Sequence, residues 1–207
     1  MVMRSKAIVP KPRPRPPDLV IMAHDPGSVN YGFCVLRATA APRNRVKITI
    51  LKNGHCPELV KVLKSGSAVR TSLLKYRAWY MKIVREYKVQ FLVAERFMTR
   101  GGKGPTIEAI NMMLGTLVCG PLPCKLMPAS QWKNSVTRAG VVLNEWYTWA
   151  KVSPHQLDAC LIGVYQASTL YGHKGFDGLA LKTSFKALVT QIEKTSVEPL
   201  TNRVRRR

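Results

Sequence analysis

Acidic side chains are scarce in this 207-residue chain, which has 11 Asp and Glu against 33 Lys and Arg and a formal net charge of +22. Such an excess of positive charge repels itself unless the protein meets a polyanion. Nucleic acid is the expected partner, because lysine and arginine that neutralise its phosphates release bound counterions. Charge alone leaves two alternatives open, a basic surface that serves solubility and one that meets an anionic membrane.

Long uncharged apolar runs are also missing. No window approaches the roughly 18 residues that indicate a membrane-spanning helix, so no membrane partner is expected. Residues 1–18 have basic side chains without the apolar segment of a secretory signal. Their composition is compatible with a mitochondrial transit peptide, but the prolines at positions 10, 12, 14, 16 and 17 oppose the amphipathic helix that such peptides form. We therefore expect a cytoplasmic rather than a mitochondrial protein.

Regular cysteine and glycine motifs are absent as well. The five cysteines stand at positions 34, 56, 119, 124 and 160, an odd number at spacings that fit no disulfide framework. A structural zinc site needs close pairs of Cys or His, and only Cys119 and Cys124 lie near each other. We expect reduced, mostly buried thiols. The segment Gly101-Gly102-Lys103-Gly104 lacks the P-loop spacing and the Lys-Ser/Thr ending, so no nucleotide cofactor is expected.

Hydrophobic periodicity predicts one folded α/β domain at residues 18–172, between a flexible, basic, Pro-rich arm at 1–17 and a basic C-terminal extension at 173–207. Short apolar runs predict strands at 19–23, 31–36, 46–51, 91–94 and 124–127. Longer amphipathic stretches predict helices at 70–87, 105–119, 129–138 and 182–194, and one that starts after Ser153. Ser153, Pro154 and Gln156 are typical of the N-cap, N1 and N3 positions of a capping box. This order of elements predicts a mixed sheet with helices packed on it, which several folds share.

Three of the scarce acids follow apolar segments that bring carboxylates to a common edge. Asp25 follows the first predicted strand, Glu95 closes the strand at 91–94, and Asp158 lies one turn into the Ser153-capped helix. A carboxylate beside a core strand is costly unless it binds something. Beside a basic nucleic-acid surface, three such groups predict a Mg²⁺ or Mn²⁺ site. His155 shares the helical face of Asp158, where it is suited to bind metal or to position the attacking water.

Each of these residues also has a purely structural interpretation. Asp25, before Pro26-Gly27, is a residue type that opens turns. Glu95 could pair with a neighbouring arginine. His155 and Asp158 could simply favour the start of their helix. Only the joint occurrence of the four residues in one predicted architecture favours a metal site.

Four segments, taken in order, resemble the RuvC-type Holliday-junction resolvases of the RNase H-like superfamily. Residues 21–28 with Tyr31-Gly32-Phe33 resemble the opening strand, Asp-Pro-Gly-Ser turn and second strand of that family. Leu92-Val93-Ala94-Glu95 resembles its second acidic motif, and residues 108–115 resemble the helix that follows. Residues 127–133 resemble its proline-containing strand exit and lysine-bearing helix. Residues 155–159 resemble its closing acidic helix, in the version with His three residues before Asp.

This resemblance covers about residues 19–170. It implies an RNase H-like mixed five-stranded sheet with helices on both faces. It also implies a homodimer that binds four-way DNA junctions and nicks two opposed strands. The mechanism expected from the acidic set uses two Mg²⁺ ions, with Mn²⁺ as a substitute, held by Asp25, Glu95, His155 and Asp158. The expected products have 5′-phosphate and 3′-hydroxyl ends.

Candidate DNA contacts lie near these motifs. The basic candidates are Arg100, Lys103, Lys133, Arg138 and Lys151, although each alone is also typical of an ordinary solvated charge. The family often has an aromatic residue three positions after the second acidic residue, where this chain has Met98. Phe97 is therefore the candidate for stacking on a base, and a place in the core is its alternative. The basic loop at 100–104 and the two extensions depart from the bacterial pattern, which favours a phage or otherwise divergent relative in a bacterial or phage-infected cytosol.

Two other functions remain open at this stage. An RNase H-like nuclease of the ribonuclease H type would share the fold and the acids but act on another substrate. A non-catalytic nucleic-acid-binding protein would share the charge and use its acids structurally. The apolar stripe at 107–117 is a candidate dimer interface, unless the sheet of the same subunit covers it.

Overall fold

The computed structural model describes residues 17–27, 30–42, 45–58, 66–97, 104–176 and 181–196. Its strands are β1 (Leu19–Asp25), β2 (Gly32–Ala41), β3 (Arg45–His55), β4 (Phe91–Arg96) and β5 (Cys124–Pro128). Its helices are α1 (Gly66–Tyr87), α2 (Pro105–Val118), α3 (Ala129–Arg138), α4 (Leu143–Trp149), α5 (Pro154–Leu170) and α6 (Leu181–Thr195). The predicted arm, apart from Pro17, and residues 177–180 and 197–207 of the predicted extension lie outside the described residues.

The five strands form one mixed sheet in the order β3-β2-β1-β4-β5. β1, β2 and β3 pair antiparallel as a meander. β4 pairs parallel to β1, and β5 pairs parallel to β4. Parallel neighbours need a crossover. The connection from β1 to β4 runs through β2, β3 and α1, and the connection from β4 to β5 runs through α2. The predicted class, a mixed five-stranded α/β sheet, is confirmed.

Helices cover both faces of the sheet, because successive residues of a strand point to opposite sides. In β1, Ile21 and Ala23 face a core formed with α3, α5 and α6, whereas Val20 and Met22 face a second core formed with α1 and α2. We call these the α5 face and the α1 face. The predicted arrangement of helices on both faces is therefore confirmed.

Helix α5 lies unusually close to the sheet because glycines replace side chains at two contacts. A Cβ atom on Gly32 of β2 would lie 2.0 Å from the carbonyl oxygen of His155. At the other end of the contact, a Cβ atom on Gly163 would lie 2.7 Å from Cδ2 of Leu36 and 3.0 Å from Cβ of Ala23. Residues 156–168 of α5 are all buried. The two glycines therefore fix both the height and the register of this helix over β1 and β2.

The start of α5 is held by the capping box predicted from the sequence. The Gln156 amide donates to Ser153 Oγ at 3.2 Å, and the Ser153 amide donates to Gln156 Oε1 at 3.0 Å. The Gln156 Nε2 group then donates to Asn53 Oδ1 of β3 at 3.3 Å and to Ser196 Oγ at 3.0 Å. Asn53 in turn donates to the carbonyl oxygen of Ile192 at 2.8 Å. Buried hydrogen bonds therefore join the first turn of α5 to β3 and to the end of α6.

Strand β3 contains a bulge. The antiparallel register pairs Leu36 with Ile50 and Val35 with Lys52, so Leu51 is an extra residue. Ile50 and Asn53 face the α5 face, whereas Leu51 and Lys52 both face α1. A bulge of this kind reverses the alternation of side chains along a strand.

Several boundaries differ from those predicted. β2 and β3 extend beyond the predicted apolar runs to Ala41 and His55, through residues that are small, polar or basic and carry a weak apolar signal. Helix α4 was not predicted, because its sequence is rich in aromatic residues of modest helix propensity and its N-cap makes no side-chain hydrogen bond. The predicted helix at 182–194 is confirmed as α6, which packs on β3. The division of the chain into domain and extensions stays a prediction.

The apolar stripe of α2 is used within the subunit. Ile110, Leu114 and Leu117 are buried in the core of the α1 face, so this stripe is not available as a dimer interface.

The five cysteines are free, and three of them are buried, as expected. None of the described helices combines the length and the hydropathy that crossing a bilayer requires.

The contact at Gly32 gives a first testable prediction. We expect Gly32→Ala to lower the free energy of unfolding by more than about 2 kcal/mol, because its methyl group meets backbone of α5 that cannot move alone. The control is Gly115→Ala in α2, where no atom lies within 4 Å of the new Cβ. That variant should gain about 0.5–1 kcal/mol from helix propensity. Urea unfolding measures both, and a Gly32→Ala protein as stable as the wild type would contradict the proposed constraint.

Candidate active site

The sheet places two carboxylates side by side. β1 and β4 are parallel neighbours in which His24 pairs with Ala94, and the next residues are Asp25 and Glu95. Neighbouring strands lie about 4.8 Å apart. Side chains alternate along a strand, so Asp25 lies on the same side of the sheet as Ala23, and Glu95 on the same side as Val93. Both carboxylates therefore belong to the α5 face. Asp25 is buried, with 6% of its surface exposed, and Glu95 is partly buried.

Helix α5 brings the other two predicted residues to the same place. Its first turn lies over the end of β1, where His155 Nδ1 is 2.6 Å from Asp25 Oδ2. Because an ionised carboxylate only accepts, Nδ1 is the donor. Asp158 follows one turn later and is also buried. The hydrogen bond between His155 and Asp25 joins residues 130 positions apart in the chain, and it is the contact that closes the site.

Each of the other two carboxylates has a protein donor that the sequence analysis did not assign to it. Trp132 Nε1 of α3 donates to Glu95 Oε2 at 2.9 Å. The Tyr147 hydroxyl of α4 donates to Asp158 Oδ1 at 2.6 Å. Lys133 Nζ lies 3.4 Å from Asp158 Oδ2 and 5.0 Å from the centre of the Trp132 ring. α3 follows β5 directly and β5 is parallel to β4, so the Trp132-Lys133 pair starts from the same edge of the sheet as Glu95.

The electrostatics of the site are dominated by burial and by repulsion between the acids. Burial raises the pKa of Asp158 to about 6, and the field of Asp25 adds to this while Tyr147 and Lys133 oppose it. Burial, followed by the field of Asp25, also raises the pKa of Glu95. The hydrogen bond to Asp25 raises the pKa of His155 against the effect of burial. Burial raises the pKa of Tyr147, so its hydroxyl keeps the proton that it donates. The site therefore gathers more negative charge than its own cations neutralise.

The donor set suits a hard divalent cation, although its present geometry is not that of a preformed cage. Three carboxylates and one imidazole are ligands that Mg²⁺ and Mn²⁺ accept, and mutual repulsion among the acids is what such a cation relieves. Among the described residues, no three His, Cys, Asp or Glu side chains converge on one point as a ready metal centre. The carboxylates turn instead to His155, Trp132, Tyr147 and Lys133. The metal site therefore stays a prediction.

The predicted DNA contacts lie in different surroundings. Phe97 follows β4 and is partly buried against the core of the α1 face. Lys133 lies in the carboxylate site, where it pairs with Asp158. Arg138, at the end of α3, and Lys151, just before α5, are exposed. Arg100 and Lys103 lie outside the described residues. DNA contact by these side chains stays a prediction.

Comparison with known proteins supports the fold. No protein-family model matches the sequence, and no curated protein sequence matches it. The structure is similar to that of RuvC from Thermus thermophilus, with a TM-score of 0.57 and 13% identity over 76% of this chain and 99% of that one. It is also similar to T. thermophilus RuvC in complex with a Holliday-junction substrate, with a TM-score of 0.54 and 15% identity over the same shares. The yeast mitochondrial Holliday junction resolvase Ydc2 gives a TM-score of 0.48 at 14% identity over 88% of this chain and 83% of that one. The first two similarities show that the chain has the RuvC-like, RNase H-like fold that its motifs predicted.

The raised pKa of Asp158 gives a second testable prediction. Unfolded Asp releases its proton near pH 3.8, whereas folded Asp158 holds it to about pH 6. The folded state therefore binds more protons in this window, and the stability of the wild type falls as the pH rises through it. We expect Asp158→Asn to be more stable than the wild type at pH 8, on the order of 2 kcal/mol.

The measurement is urea unfolding in EDTA at pH 8 and at pH 4, where the advantage should shrink. Asp18→Asn is the matched control, because Asp18 is exposed and lies just before the first residue of β1, at the end opposite to Asp25. An Asp158→Asn protein less stable than the wild type at pH 8 would mean that the carboxylate is a net stabilising structural group.

Proposed function

We propose that this chain, which has the fold of RuvC, is a divalent-metal-dependent endonuclease that resolves four-way DNA junctions. The observation that carries the proposal is the hydrogen bond between His155 of α5 and Asp25 of β1, which brings the Asp25–Glu95 pair together with Asp158. Residues that are far apart in the sequence therefore meet at one edge of the sheet. A chain with a net charge of +22 has little physical reason to gather buried acids unless they act together.

The choice of substrate rests on fold and charge together. In one of the similar structures, T. thermophilus RuvC is in complex with a Holliday-junction substrate. A four-way junction presents phosphates on four arms, which suits a strongly basic protein. Paired nicks in opposed strands require two active sites, so we propose that the chain acts as a homodimer. We also propose that it works in a cytosol that contains DNA.

Asp25, Glu95, His155 and Asp158 would hold the divalent ions. When bound, two Mg²⁺ ions would supply activation of a water nucleophile and stabilisation of the leaving 3′ oxygen. The surrounding residues of this chain orient the ligands. Trp132 donates to Glu95, while Tyr147 donates to Asp158 and Lys133 pairs with it, so these three residues would limit the rotation of the two carboxylates. Burial keeps bulk water from screening these interactions.

Lys133 is also suited to act on the substrate. Its ammonium group lies beside a carboxylate that a cation would engage, which would free Lys133 to approach a phosphate oxygen. Positive charge held there before the reaction stabilises the charge that builds on the phosphate in the transition state. Arg138 and Lys151 are exposed and would contact the DNA backbone without reading its sequence.

The central test is the loss of cleavage without loss of binding. We expect Asp25→Asn to reduce junction cleavage in Mg²⁺ at least about 100-fold, because it removes an anionic ligand and leaves only a neutral amide oxygen to orient His155. Junction affinity should change less than about threefold, because binding depends on the basic surface. Gel assays of cleavage and binding on a four-way junction measure both quantities.

Asp18→Asn serves again as the control and should cleave like the wild type. Normal cleavage by Asp25→Asn would refute the assignment of the site. Linear duplex and an RNA–DNA hybrid are tested beside the junction, and preferential cleavage of the hybrid would indicate a ribonuclease H activity instead. Binding without cleavage under Mg²⁺ or Mn²⁺ would leave a non-catalytic nucleic-acid-binding protein.

Metal binding has a readout that does not depend on cleavage. A cation that binds only the folded state stabilises it by about 1.4 kcal/mol at ten times its Kd, which for a chain of this size raises Tm by about 3–5 °C. We expect this rise for the wild type in MgCl₂, measured against NaCl of equal ionic strength. Asp25→Asn should show less than half of it. An equal rise in both proteins would place the bound Mg²⁺ elsewhere.

A further inference from the structure

A cavity of about 210 Å³ lies on the α1 face, across the sheet from the carboxylates. It opens between the β2–β3 hairpin and α1. Its lining combines aromatic and aliphatic groups with two lysines and one histidine, namely Phe33, Lys52, His55, Pro57, Trp79, Lys82, Ile83 and Glu86. This volume is below the roughly 300–1,000 Å³ of pockets that hold drug-sized ligands, so it suits one small ring system.

The aromatic wall of this cavity is held rigidly. Trp79 packs edge-on against Phe33, with ring centres 5.1 Å apart and planes at 85°. It also contacts Tyr31 at 6.5 Å and Tyr76 at 5.9 Å. These contacts fix the indole ring while part of Trp79 stays exposed. A fixed, partly exposed indole is a surface on which a flat apolar ligand can lie without ordering a side chain first.

The bulge in β3 determines which charged side chains lie at the rim of the cavity. Because Leu51 is the extra residue, Lys52 points to α1, where its Nζ lies 3.8 Å from Glu86 Oε1 and 5.5 Å from the centre of the Tyr87 ring. Lys82, on α1, is exposed and has no ion-pair partner in the described part of the chain. The rim therefore offers an uncompensated cation beside the aromatic wall.

The cavity lies at the same end of the sheet as the carboxylates. Gly32 of β2 pairs with Asp25 of β1 on one side and with His55 of β3 on the other. Two strand spacings, roughly 10 Å, therefore separate the backbone at Asp25 from the backbone at His55. A nucleic-acid strand that crosses this end of the sheet could engage both positions.

We propose that this cavity holds one unpaired nucleotide of the bound nucleic acid, with its base against Trp79 and Phe33 and its phosphate at Lys82, while Lys52 stays paired with Glu86. An aromatic wall beside lysines matches a nucleotide, which joins a flat ring to an anion. The proposal rests on the part of the proposed function that makes nucleic acid the ligand. It adds a second point of contact, specific for an unpaired nucleotide.

The direct test is titration with deoxyadenosine monophosphate, followed by the ¹H–¹⁵N signal of the Trp79 indole and neighbouring amides. Deoxyadenosine and inorganic phosphate are the two partial ligands. We expect the monophosphate to bind more tightly than either, and Lys82→Ala to weaken it about tenfold, equivalent to about 1.4 kcal/mol. Lys75→Ala is the control, because Lys75 is exposed on the same helix but does not line the cavity. Its affinity should match that of the wild type.

Three outcomes would overturn the proposal: no shift at the Trp79 indole, equal affinity for inorganic phosphate and the monophosphate, and equal effects of Lys82→Ala and Lys75→Ala. Junction cleavage is measured on the same samples to separate the two proposals. Cleavage without nucleotide binding at the cavity removes this inference and leaves the nuclease. Nucleotide binding without cleavage of any DNA removes the nuclease and leaves the cavity.

As a second variant, Trp79→Phe keeps an aromatic ring in the packing with Phe33. It should weaken the monophosphate while leaving the affinity for inorganic phosphate unchanged. Equal weakening of both ligands would count against a base on the aromatic wall.

Discussion

The contact between α5 and the strands β1 and β2 is the constraint on which the site depends. Gly32 and Gly163 let the helix lie directly on backbone and small side chains, and a helix that is buried on every side cannot rotate or slide without opening a cavity. His155 therefore reaches Asp25, and Asp158 reaches Tyr147 and Lys133, because packing elsewhere along the helix leaves them no other position. The hydrogen bond between His155 and Asp25 results from the packing of α5 on the sheet and also stabilises it.

The whole chain is strongly positive, whereas the candidate site is negative. At the scale of the whole chain, a net charge of +22 attracts a polyanion. At the scale of the site, Asp25, Glu95 and Asp158 form a half-buried negative region that repels the phosphate drawn towards it. The proposed divalent cation would resolve this conflict, since it would neutralise the acids and contact the phosphate oxygens. The charge pattern is therefore a reason for proposing metal dependence.

The sequence predicted the parts of this structure that local rules determine. The short apolar runs at 19–23 and 91–94 placed Asp25 and Glu95 at strand ends, and Ser153 with Gln156 marked the start of α5. It could not predict contacts that depend on tertiary packing. Tyr147 lies in a short helix of weak propensity, and its bond to Asp158 exists only once α4 docks. The Trp132 ring is buried in the core, but its bond to Glu95 requires the parallel pairing of β4 and β5.

The bulge in β3 shows why an edge strand can constrain the centre of a protein. By reversing the alternation at Leu51, it lets one short segment present Lys52 to one layer and Asn53 to the other. The number of residues between Ile50 and Asn53 is therefore as strictly limited as their identity. A related protein that lost one residue here would exchange the partners of both layers at once. Sequence drift in this hairpin should proceed by substitution, with insertions and deletions confined to its turn.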